Sequence, residues 1–156
     1  MEVNFEWLED HIFHRHLDAD EQSVLAQSIQ VSEFNKGDVL IEEGEHSDGL
    51  YLLYSGRAGV LRDSHGERVR VSEVGEGAQL GDMAIFDDEP SSATVTALGA
   101  CVAYKLSRQA LGHLMANQPD MSKDIMMNTI RQLAGIIRKM NSSSAYSQQF
   151  IYGRSV

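Results

Sequence analysis

The chain has 156 residues, 42% of them hydrophobic, a length and composition that suit one domain with a real core and leave no second domain of useful size. Its formal net charge of −10 argues against a nucleic-acid surface, because clustered Lys and Arg supply most non-specific affinity for phosphate. A single cysteine, Cys101, excludes an internal disulfide framework and fits a reducing compartment.

The N-terminus carries Glu2, Glu6, Glu9 and Asp10, with neither the basic start nor the apolar stretch of a secretory signal. Nowhere do 18 apolar residues run together, so the expectation is a soluble cytoplasmic protein without a membrane segment. From Phe5 to Val31 the chain reads helical, with Leu17, Val24, Leu25 and Ile29 at helical spacing. Asp18-Ala19-Asp20-Glu21 offers an N-cap followed by acidic first-turn residues. His11, His14 and His16 lie close in sequence, but no second group of His, Cys or carboxylates is placed with them, so no metal site is assigned. His46, His65 and His113 read as surface residues.

Ten of the thirteen glycines fall between Gly37 and Gly99, separating short aliphatic runs. Val39–Ile41, Leu50–Leu53, Gly59–Leu61, Val69–Val71, Ala93–Val95 and Val102–Tyr104 are strand candidates, with turns at 35–38, 63–66 and 75–77. Short strands at this spacing predict an antiparallel sandwich or barrel. Cys101, in an apolar run, reads as a buried small hydrophobe. Ser107 caps a helix expected to stop near Asn117, before Gln118-Pro119. A longer helix is predicted over 121–140, where Met126, Ile130, Leu133, Ile137 and Met140 are spaced 4, 3, 4, 3 as a short heptad seam. That stripe suits either packing on the chain's own barrel or pairing with a second copy. Asn141-Ser142-Ser143-Ser144 reads as a helix stop opening a polar tail, in which Phe150-Ile151-Tyr152 offers an apolar patch able to dock.

Two stretches carry a family pattern. Residues 80–97 begin Leu80-Gly81-Asp82-Met83-Ala84-Ile85 and end Ser91-Ser92-Ala93-Thr94-Val95-Thr96-Ala97, and Leu40-Ile41-Glu42-Glu43-Gly44-Glu45 precedes Leu50–Gly56. Together they resemble the cyclic-nucleotide-binding domain, in particular the sensor half of regulators of the catabolite-activator class, over roughly residues 30–140. The resemblance implies a mostly β fold with flanking helices: a double-stranded β-helix (jelly roll, cupin-like) with an N-terminal helical segment and C-terminal helices. It divides the chain into a domain over 1–140, with a β-barrel over 30–106 and C-terminal helices over 107–140, and a polar tail over 141–156. It also implies that helix 121–140 forms a homodimer axis and closes over the ligand. Relatives carry a C-terminal DNA-binding unit; the 16 residues after Met140 leave no room for one here, so direct contact with nucleic acid is not expected, although a protein partner is possible.

The resemblance places a ligand site at Gly81, Asp82, Met83, Ala84, Ser91, Ser92 and Ala93, with cAMP, cGMP or another small anion as the possible ligand. Three positions depart from the pattern. Asp82 stands where the family has Glu and is one methylene shorter for reaching a ribose hydroxyl. Ser91 stands where the family has the Arg that forks onto the phosphate, and a serine offers one neutral donor in place of a planar, charge-assisted pair. Ser47 stands where Gly, Ala or Cys is usual. A charge-assisted hydrogen bond is worth about 1.5–3 kcal/mol, so affinity for a cyclic phosphate is expected to fall at least ~10- to 100-fold unless Arg57, Arg62, Arg68 or Arg70 reaches in. Arg70, between Val69 and Val71, is expected to turn to solvent by strand alternation. Leu133, Ile136 and Ile137 place no base-reading hydroxyl on the closing helix. No nucleophile elbow, Walker loop or dinucleotide fingerprint occurs, and no residue reads as catalytic. Two functions stay open: a ligand-responsive regulatory sensor, or an interaction module that kept the fold without the ligand.

Overall fold

A computed structural model describes the backbone of residues 1–152 and the side chains of residues 1–143 except Met83. A short helix α1 (Phe5–Leu8) runs into a π-helical turn (Glu9–Phe13), and α2 spans Ala19–Ser28. Asp18 caps α2 in a full capping box with Glu21, each side chain accepting the other's backbone N–H. Contrary to the helical reading of 5–31, Ile29–Phe34 is strand β1. The alternation Ile29, Val31 against Gln30, Ser32 suits an edge strand, and antiparallel pairing with residues 101–106 fixes it there.

Seven further strands follow: β2 (Val39–Ile41), β3 (Gly49–Ser55), β4 (Ala58–Ser64), β5 (Glu67–Val74), β6 (Gln79–Leu80), β7 (Thr94–Ala97) and β8 (Cys101–Ser107). They form two antiparallel four-stranded sheets, ordered β1-β8-β3-β6 and β2-β7-β4-β5. This is the expected double-stranded β-helix. Five of the six strand candidates fall within observed strands and the sixth, Ala93–Val95, overlaps β7 from Thr94 on; β1 and the two-residue β6 were not foreseen.

Two apolar cores explain why β3 reads as an unbroken aliphatic run. Tyr51 and Leu53 face the barrel interior with Leu40, Ala58, Leu80, Val95, Cys101 and Ala103, whereas Leu50 and Leu52 face outward into the helices. A strand covered on both faces loses the polar alternation of a half-solvated one. The outer core gathers Trp7, Leu8, Ile12 and Leu25 with Leu111 and Leu114 of α4 (Arg108–Asn117) and Met121 and Ile125 of α5 (Pro119–Tyr152). Arg15 ties the segment down, donating to Glu21 and Asp124 at 2.7 Å each, and its guanidinium holds the Glu21 carboxyl below the usual range. Ser107 caps α4 by accepting the Ala110 N–H at 3.0 Å.

Helix α5 spans Pro119–Tyr152, 34 residues, or about 50 Å at 1.5 Å per residue. Pro119 occupies its first position, where a missing N–H costs nothing. The helix does not stop at Asn141: no Gly or Pro occurs between Gly135 and Gly153, and the three serines continue the helix. The boundary expected at residue 140, and the start of the polar tail, therefore fall inside α5. The side chains of Phe150, Ile151 and Tyr152, and all of 153–156, lie outside the described residues. Among the described residues no helix is long and apolar enough to cross a membrane.

Candidate functional site

The site begins where β6 ends. Gly81 holds φ +75°, and a Cβ there would stand 2.9 Å from the Gly49 carbonyl oxygen and 3.2 Å from Ser47 Oγ. Glycine is therefore demanded twice, by conformation and by space. It opens α3 (Asp82–Asp87), whose far end turns at Asp88 with φ 64°. Arg108 fastens that end by donating to Asp88 Oδ1 at 2.8 Å and to the Ser47 carbonyl at 3.2 Å. The Ser47 hydroxyl is buried but satisfied locally, donating to the Gly49 carbonyl at 2.7 Å, which accounts for its tolerance at a position where Gly, Ala or Cys is usual.

The return limb of the cassette is pinned by the β2–β3 loop. Ser91 donates its N–H to the Glu45 carbonyl, and its own carbonyl accepts from the Gly44 N–H, both at 2.9 Å. Thr94 is buried, and its hydroxyl accepts the Glu43 N–H at 3.0 Å, so it is occupied by the loop. The two motifs read separately in the sequence are thus one construction: the first clamps the second.

Between α3, this limb and strands β4, β5 and β7 lies a cavity of about 220 Å³. Gly81, Asp82, Ala84, Ser91, Ser92 and Ala93 all line it, so six of the seven predicted site residues are brought together; the side chain of the seventh, Met83, lies outside the described residues. The remaining lining is largely aliphatic, from Ile41, Val60, Val74, Leu80 and Val95, with Ile136 of α5 at its edge.

None of the four arginines considered as substitutes lines the cavity. Arg57 and Arg70 both pair with Glu73, at 2.7 and 3.2 Å, and the Arg57 guanidinium holds that carboxyl below its usual range. Arg68 pairs with Glu42, and Arg62 is exposed. Arg70 is exposed as expected, but Val69 and Val71 beside it are 47% and 56% exposed too, so alternation does not account for it. The pairing slips between Val60–Ser72 and Leu61–Arg70, and this bulge lets Ser72 and Val74 line the cavity while Arg70 does not.

Sequence reasoning missed the polar face of α5. Gln79 of β6 donates its side-chain amide to Thr129 and accepts from Asn128 Nδ2 at 3.1 Å. Gln132 accepts the Gln79 backbone N–H and donates to the Gly77 carbonyl, both at 3.1 Å, so one side-chain amide serves β6 as a neighbouring strand would. Asn128, Thr129 and Gln132 share the barrel-facing side with Met121 and Ile125. The available signal was this polar interruption in a second helical stripe, overshadowed by the more apolar heptad seam.

With this geometry in place, the family model described as "Cyclic nucleotide-binding domain" matches residues 31–118, more than half of the chain. The chain belongs to the cyclic nucleotide-binding domain family. Among similar proteins, a cGMP-dependent protein kinase of Eimeria tenella is 34% identical over 113 residues, covering 72% of this domain's chain but 11% of the kinase. A cyclic nucleotide-binding domain from Methylobacillus flagellatus superposes with a TM-score of 0.75 at 24% identity, over 97% of this chain and 82% of that one. The regulatory subunit of a cAMP-independent protein kinase A from Trypanosoma brucei has a TM-score of 0.63 at 26% identity, over 83% of this chain and 42% of its own. A variant of that subunit with three replacements, one of them threonine to arginine, is bound to cAMP in its A site and gives a TM-score of 0.59 at 27% identity, over 81% of this chain and 49% of that one. The domain thus occurs inside larger proteins of unlike activity. Among the described residues, no group of three or more His, Cys, Asp or Glu side chains is placed to hold a metal.

Proposed function

We propose that this domain is a non-enzymatic regulatory module whose cassette cavity binds cyclic nucleotides only weakly, and whose α5 pairs with a second copy. One observation carries the first part: among the described residues lining the cavity, the single ionisable side chain is Asp82, an anion. A cyclic phosphate taken from water into such a site keeps its desolvation cost and gains no opposite charge. The cAMP-independent relative supports the same reading, since its cAMP-bound variant includes a new arginine.

The pairing rests on the seam of α5. Ile130, Ile137 and Met140 are 56%, 56% and 62% exposed, while a different stripe of the same helix packs on the barrel. A ligand shifting α3 and Ile136 would bias α5, and with it the dimer or a partner surface, provided it binds two helix arrangements unequally. The cytoplasm suits such a module, because the single thiol, Cys101, is free and buried.

Calorimetric titration with cAMP and cGMP tests the proposal, run on the natural chain and on Ser91→Arg. Weak or absent heat from the natural chain, with a gain of about 10- to 100-fold on Ser91→Arg, is the expected result. Micromolar binding by the natural chain would sink the weakened-site reading. Silence from both would favour the second reading, a ligand-independent interaction module, to which the exposed seam of α5 already lends support.

A further inference from the structure

We infer that the cassette cavity takes an uncharged, purine-sized ligand in preference to any phosphate-bearing one; this rests on the cavity being the ligand site. The walls are aliphatic on several sides, from Val60 and Val74 on adjacent strands to Ile136 on α5. Such walls suit the faces of a flat ring. The polar groups at hand are neutral: the hydroxyls of Ser72, Ser91 and Ser92 can hydrogen-bond ring edges or ligand hydroxyls. Gln79 also lines the cavity, but both ends of its amide are held by Asn128 and Thr129, so the serines carry the recognition.

No cation is among the described lining residues. Asp82 is in the lining, and Arg57, Arg70 and Arg68 are committed to Glu73 and Glu42 outside it. An adjoining hollow that shares Ile41 and Ser91 with the cavity supplies no spare cation either: Arg68 pairs there with Glu42, and Lys105 with Asp48 at 2.6 Å. An entering anion would give up its hydration with no described lining cation to replace it, whereas an uncharged ring system has no charge to desolvate. The cavity of about 220 Å³ equals about seven waters at their liquid volume of ~30 Å³, room for a bicyclic ring with small substituents.

Matched pairs isolate the charge. The chain is titrated with adenosine against cAMP and with guanosine against cGMP, each pair differing by the cyclic phosphate that bridges the 3′- and 5′-hydroxyls. The uncharged member of at least one pair is expected to bind at least about 10-fold more tightly, and Ser91→Arg to reverse that order. Ile136→Trp, at a position 53% exposed and so independent of folding, is expected to abolish nucleoside binding by filling the cavity edge. Equal or tighter binding of a cyclic nucleotide by the natural chain would overturn the inference. So would nucleoside binding untouched by Ile136→Trp, or silence towards all four compounds. In that last case, cAMP binding by Ser91→Arg would leave the cavity standing as a ligand site and sink the uncharged-ligand inference alone.

Discussion

At Gly81 the backbone leaves no room for a side chain, and at Ser91 the chain leaves out a charge. The two residues separate the architecture of the cassette from its chemistry. Alanine at position 81 would meet the Gly49 carbonyl oxygen at 2.9 Å and sit at a φ of +75°. We expect Gly81→Ala to cost about 2 kcal/mol or more, since the left-handed conformation alone costs roughly 1–2 kcal/mol for a residue with a Cβ. Chemical denaturation measures this, and a loss below about 0.5 kcal/mol, the range of an inconsequential surface change, would contradict it. Both residues were legible in the sequence, Gly81 by its place before a short apolar turn and Ser91 by its departure from the family's arginine. Arg70 was legible only in part: its exposure was expected from alternation with Val69 and Val71, yet both valines are exposed too, and the bulge that lets Ser72 and Val74 line the cavity has no sequence signal of its own.

The element on which the site depends most is the joint between β6 and α5. β6 pairs with β3 along one edge, and its other edge is completed by the Gln132 side chain instead of by a strand. Replacing Gln132 with leucine would strand the Gln79 N–H and the Gly77 carbonyl at about 1–3 kcal/mol for each group left unpaired. Hydrogen exchange on Gln132→Leu should therefore show amides 133–143 exchanging faster while those of β3 and β8 keep their protection. A uniform rise across the barrel, or none, would mean that the joint does not hold α5 in place. The same element shows why prediction failed there: in the sequence, Asn128, Thr129 and Gln132 are three polar residues with no visible partner. Their role exists only because a two-residue strand, too short to announce itself, ends opposite them.

Across the whole molecule, α5 presents one face to its own barrel and leaves the heptad seam exposed. Glutamates at Ile130 and Ile137 should convert a dimer to a monomer in sedimentation experiments without lowering the melting temperature, because both side chains are more than half exposed in the single chain. A parent protein that sediments as a monomer at high concentration would remove the dimer. The sequence by itself determined an antiparallel fold of short strands, because glycine-punctuated apolar runs admit few arrangements that bury them; the family resemblance implied the β-roll and, through the residue at position 91, the missing cassette charge. The helix boundaries at Ile29 and Asn141 were misplaced where local preference is weak and pairing or continuity decides. Tertiary structure alone decided that Arg57, Arg68 and Arg70 are spent on Glu73 and Glu42, that Thr94 serves the β2–β3 loop, and that α5 is locked through amides. Each of these depends on groups separated by up to about fifty residues meeting within hydrogen-bonding distance, and the chain's local pattern does not encode such distances.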